Sequence, residues 1–178
     1  MKQIYLSLLC FSILFFTSCA SHLPKFLDAD VPKETANEGK EIAKTFYLIG
    51  DAGAAKDEES SAALKAFDNL VKDKDTKDDY VIYLGDNIYP AGLPDKGEKG
   101  RETAKKLLDA QLDATNNFDG VKLFIPGNHD WYSDGLNGLK RQENYIEKAL
   151  DDNDAFQPEK GCPIEMISVS DDIELMVL

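Results

Sequence analysis

Three observations predict an α/β fold built on a mostly parallel sheet. Short runs rich in aromatic and β-branched residues recur at 45–49 (TFYLI), 80–84 (YVIYL) and 121–125 (VKLFI). A segment with helical apolar spacing follows each run. Each run also stops at a small polar cluster containing glycine: Gly50, Asp51, Ala52 and Gly53; Gly85, Asp86 and Asn87; Gly127, Asn128, His129 and Asp130. Strand and helix alternating three times argue parallel strands joined by right-handed crossovers. The runs are nearly continuous in apolar character, as burial on both faces requires.

At 178 residues with 43% apolar content, the chain has the size and composition of about one globular domain. Residues 1–18 read as an export signal and stand apart from the fold. Lys2 gives a positive start, and an apolar run from Ile4 to Phe16 is broken only by Ser7 and Ser12. That run is shorter than the roughly 20 residues of a membrane-spanning helix. It leads through Thr17 and Ser18 into Cys19, a pattern that resembles a bacterial lipobox with Cys19 as the lipidated residue. The alternative is an ordinary signal peptide cut near Ala20. Either way export is expected, with attachment to a membrane through the lipid in the first case, facing the periplasm or cell surface.

Residues 19–44 are polar and charged, carry Pro24 and Pro32, and read as a tether. The domain is expected over 45–178. After the first strand, Ala63, Leu64, Phe67, Leu70 and Val71 form one face of a helix. After the second, a Pro/Gly loop precedes a helix over 102–114, with Ala104, Leu107, Leu108 and Leu112 inward. After the third, a helix fits 139–150, with Leu139, Ile146, Ala149 and Leu150 inward. Residues 165–169 and 173–178 flank Ser170, Asp171 and Asp172 as a hairpin, the start of a second sheet. Cys162 is the one cysteine beyond the leader and Cys19, and is expected to be a small, partly buried residue.

The formal charge of −13 argues against nucleic-acid backbones as partners, since phosphate contacts draw on Lys and Arg. Function is expected at the carboxyl ends of the strands, where open α/β sheets place their crevice. Asp51, Asp86 and the cluster Asn128, His129 and Asp130 should meet there. Carboxylates and an amide oxygen on one edge are hard donors suited to cations. Facing aspartates repel unless a cation lies between them. Two ions about 3.5–4 Å apart could share a carboxylate and clamp an oxyanion. Taken singly, Asp51 could be a helix cap, Asp86 a turn residue, and the third cluster a turn with a satisfied histidine. A nucleotide-binding α/β domain has little support, because the first turn lacks the glycine pattern and the lysine of a phosphate loop.

The ordered pattern GD, GDNxY and GNHD resembles the first three motifs of calcineurin-like metallophosphoesterases, and more closely their purple acid phosphatase branch. The general family has a histidine two residues after the first aspartate. Gly53 stands there, and Tyr89, three residues after Asp86, occupies the place of that branch's compensating tyrosine. The resemblance implies an incomplete four-layer αββα sandwich. It implies two metal ions, Fe3+ with a divalent Fe, Zn or Mn, and hydrolysis of phosphoesters, including phosphorylated small molecules, by metal-bound hydroxide.

Carried over by position, Asp51 would bind the ferric ion, Asp86 would bridge, Tyr89 would bind iron as phenolate, and Asn128 would bind the divalent ion. His129 would contact phosphate and protonate the leaving group, with Asp130 orienting it. Trp131 and Tyr132 are weighed as lining of the substrate mouth or as plain packing. The resemblance also implies downstream histidines, and no histidine follows His129. The chain is therefore expected to be the N-terminal part of the enzyme, as a fragment or a natural truncation, and inactive alone. The alternative is a non-catalytic exported lipoprotein, a binding or structural module with a vestigial metal half-site.

Overall fold

The computed structural model describes residues 41–54, 61–161 and 164–178. The signal segment, most of the tether with Cys19, and Cys162 lie outside the described residues. The folded domain is the compact unit Ile42–Leu178.

Three strands pair in parallel in the order β1 (Phe46–Ile49), β2 (Tyr80–Tyr83), β3 (Val121–Phe124). The register aligns Ile49 with Tyr83 and Tyr83 with Phe124, so all three strands finish at one level. Between and after them run α1 (Ala62–Val71), α2 (Arg101–Asp113) and α3 (Gly135–Leu150). A hairpin of β4 (Glu165–Ser170) and β5 (Ile173–Val177) forms a separate antiparallel sheet. The α/β class, the parallel sheet and the second small sheet are therefore as the sequence predicts.

Alternation along the strands divides the core in two. Val81, Tyr83 and Phe124 face one way and pack with the buried residues of all three helices. Tyr80, Ile82 and Leu123 face the other way and pack with Val169 of the hairpin. One face thus carries helices and the other begins a second sheet.

Burial on both faces holds for β2 alone, where every residue is buried. On β1 the residues Phe46 and Leu48 stay exposed, the latter at 61%. An edge strand has only one flank covered, and the two-strand hairpin does not extend over both residues. In β3, Lys122 falls on the helix side. Its ammonium sits 5.9 Å from the centre of the Phe118 ring, and burial pulls its pKa down.

Each helix differs in part from its expected apolar face. Ala63 and Leu70 are exposed in α1, leaving Leu64, Phe67 and Val71 inward. In α2 the fourth inward position is Gln111, and Leu112 is only half-buried. In α3, Gln142 is inward and Ala149 is exposed. In α2 and α3 hydrophobicity alone misplaces the face because the two glutamines hold polar groups of the loops beneath them.

Candidate metal and phosphate site

β1 and β2 end in the same backbone device. Asp51 and Asp86 both adopt left-handed conformations, with φ of 54° and 53°. That region is uncommon for any residue but glycine, and aspartate is among those that tolerate it. It turns each chain sharply enough to present a carboxylate beyond the sheet edge. The two loops are tied together by Asp51 N–H donating to the Gly85 carbonyl (3.3 Å) and Gly53 N–H to the Asp86 carbonyl (3.1 Å).

Gly53 is required by this approach. A Cβ there would lie 2.3 Å from the carbonyl atoms of Asn87. Gly127 similarly leaves room for the Asp86 carboxylate, which a Cβ would meet at 2.3 Å. Gly50 has nothing within 4 Å of an added Cβ, so close approach is not its reason.

The Tyr89 hydroxyl lies 2.5 Å from Asp51 Oδ1 and 2.8 Å from Asp86 Oδ2. A phenol has one proton, so it cannot donate fully to two carboxylates at once. Those contacts, with Asp51 first, push the Tyr89 pKa up. The cluster carries more negative oxygen than it has protons to share, which is the condition a cation relieves. The other Asp86 oxygen, Oδ1, accepts the backbone N–H of His129 at 3.0 Å. Asp86 therefore faces the first loop with one oxygen and the third loop with the other.

The third loop continues into a tight turn over His129–Tyr132. With about three residues per turn, neighbouring side chains diverge widely. His129 lies beside Tyr89, ring centres 4.2 Å apart, and its Nδ1 is 2.7 Å from the Pro90 carbonyl. A carbonyl only accepts, so Nδ1 carries a proton, and Nε2 is the nitrogen left for a ligand. Exposed Asn128 donates its amide to the Tyr132 hydroxyl at 2.8 Å, which leaves its oxygen available. Trp131 and Tyr132 are both exposed, and the Tyr132 ring meets the edge of His129 at 5.0 Å.

Asp130 has different partners from those expected. It is fully buried and turned away from His129. Its carboxylate accepts backbone N–H groups from Gly127 (2.8 Å), Asn87 (3.1 Å) and Ile88 (3.1 Å). Burial raises its pKa to about 6, against the opposing pull of those three bonds. The turn sends it inward, so the Pro90 carbonyl, and not Asp130, orients the imidazole.

Three buried amides support this arrangement, and of these the two glutamines did not stand out in the sequence. Asn87 donates to the Ile125 carbonyl at 2.9 Å, Gln111 to the Asn87 carbonyl at 2.8 Å, and Gln142 to the Asp130 carbonyl at 3.2 Å. Gln111 and Gln142 share a usable signature: a glutamine standing where the helical apolar period calls for a hydrophobic residue.

The donors that converge are all hard oxygens: Asp51, Asp86 and Tyr89, with Asn128 on the adjoining loop. They fit a hard cation. Among the described residues, no three His, Cys, Asp or Glu side chains gather as a metal-holding group. Residues 44–165, more than half of the chain, match the family model for calcineurin-like phosphoesterases. No curated protein and no solved structure matches the chain.

Proposed function

The chain belongs to the calcineurin-like phosphoesterase family, and we propose that it is the metal-binding edge of a purple acid phosphatase-like phosphoester hydrolase. The observation that carries this reading is the single Tyr89 proton set between Asp51 and Asp86. In that branch a tyrosine takes the place of the missing histidine ligand. Here the tyrosine oxygen meets the same two carboxylates that would hold the metal.

In this reading Asp51 and Tyr89 would hold a ferric ion and Asn128 a divalent one, and Asp86 would serve both. When bound, the ions would supply Lewis acidity toward a phosphoryl group and toward water. His129 offers Nε2 to the phosphate or its leaving group, oriented through Nδ1 by the Pro90 carbonyl. Asp130 acts one step removed: its three backbone bonds fix the loops that carry Asp86 and His129. The substrates are phosphoesters. Export with a lipid on Cys19 belongs to the same proposal, on the strength of the leader sequence alone.

A second reading has one observation in its favour. The absence of a three-residue His/Cys/Asp/Glu cluster among the described residues suits a non-catalytic module with a vestigial half-site.

Metal titration separates the two. Ferric ion, followed by zinc or manganese, should raise the melting temperature and produce a visible phenolate-to-iron absorption band. At a hundredfold excess over Kd the added stability is about 2.7 kcal/mol. Tyr89→Phe should abolish the band, and Asp86→Asn should remove most of the stabilisation. No thermal shift with any of these metals would leave the second reading standing.

A further inference from the structure

We propose that Tyr132 is a positioning residue for the Asn128 arm of the site: its hydroxyl holds the nitrogen end of the Asn128 amide and so keeps the oxygen end for a cation. The proposal rests on the phosphoesterase reading above and adds to it a residue that reading leaves without a role.

Asn128 stands immediately before the short turn His129–Tyr132. An asparagine in that place ordinarily caps the turn, accepting a backbone N–H through its side-chain oxygen. Asn128 makes no such bond. Its Nδ2 instead donates to the Tyr132 hydroxyl at 2.8 Å. The two ends of an amide are close in size and opposite in chemistry: the oxygen has lone pairs for a cation, and the nitrogen offers only N–H donors. Shape therefore cannot choose between them on an exposed side chain, but a hydrogen-bond partner can. Tyr132 takes the end that is useless to a metal, and the oxygen is not drawn into capping.

Burial does not explain why a tyrosine stands here. Tyr132 is 61% exposed, so packing gives it little. Its contacts are with the site. Beyond the bond to Asn128, its ring meets the edge of His129 at 5.0 Å, and His129 lies 4.2 Å from Tyr89. A row of three rings thus joins the two arms, from the phenol shared by Asp51 and Asp86 to the phenol bonded to Asn128. An amide held in advance loses less freedom when an ion binds. Removing such an orienting partner of a metal ligand weakens metal binding about 10–100-fold.

Tyr132→Phe in the full 178-residue chain keeps the ring and removes the hydroxyl. In the metal-free protein the Asn128 side-chain amide signals, followed by nitrogen-resolved NMR, should move in the variant while the melting temperature stays the same. Calorimetric titration with zinc after ferric loading should show binding about tenfold weaker than in the wild type. The phenolate-to-iron absorption band, which reports on Tyr89, should be unaltered. Unmoved amide signals overturn the proposal whatever the metals do. So does an unaltered zinc affinity, a lowered metal-free melting temperature, or loss of the iron band together with zinc binding. A wild type that takes up neither ferric ion nor zinc overturns the phosphoesterase reading and the proposal together, whereas each of the other outcomes strikes the proposal alone.

Discussion

Asp86 and Asp130 both follow a glycine-bearing turn at the end of a parallel strand, yet they do opposite work. Asp86 is half-buried, with one oxygen toward the Tyr89 hydroxyl and the other toward the His129 amide. Asp130 is sealed from solvent and surrounded by three backbone N–H groups. Asp51, the most exposed of the three, shares the phenol with Asp86. A carboxylate with too few donors is a place for a cation. One with a full set of donors is a fastener for loops. The difference lies in the surroundings and not in the residue type.

Deleting the fastener tests this contrast most severely. Asp130→Ala leaves three loop amides without their acceptor and should cost about 3–5 kcal/mol in urea unfolding without metal. A loss below about 1 kcal/mol would mean that the loops hold themselves.

A pH series probes the same contrast by titration. Burial raises Asp130 from 3.8 to about 6, so the folded protein holds this proton more tightly than the unfolded chain. The proton-linked part of its contribution is complete below about pH 4 and is lost as pH rises through 6. Relative to Asp130→Asn, the wild type should therefore lose up to about 3 kcal/mol between about pH 4 and pH 7. Glu147, which also titrates high, is common to both proteins and cancels from the difference. A flat difference would exclude burial as the dominant influence on Asp130.

The smallest effect is expected at the open carboxylate. Asp51→Asn should change metal-free stability by no more than about 0.5 kcal/mol, because an exposed side chain with one shared proton has little to lose. The same variant should markedly reduce the thermal shift produced by ferric ion. Substantial destabilisation without metal would place Asp51 with Asp130 as a structural group.

The strands were legible in the sequence to within one residue at most ends. Aromatic and β-branched runs stopped by glycine leave few alternatives. The convergence of Asp51, Asp86 and the third cluster was legible for the same reason, since parallel strands deliver their ends to one edge. Tyr89 was found through the compensating pattern of GDNxY. Gln111 and Gln142 were not found, because a helical period scored on hydrophobicity passes over polar residues that are buried to hold a loop. The pairing of Asp130 with His129 came from the family resemblance, and the tight turn over His129–Tyr132 sends the two neighbouring side chains in different directions.

The order of chemical groups along the chain determined which residues reach the sheet edge: strand geometry fixes where a run ends and which residues come next. Tertiary structure alone decided what each group faces there. The left-handed turns at Asp51 and Asp86, the phenol placed between them, and the inward rotation of Asp130 depend on contacts between segments about 35 to 45 residues apart. A carboxylate's burial and its supply of donors come from those contacts, and they set whether it binds a cation or holds the backbone.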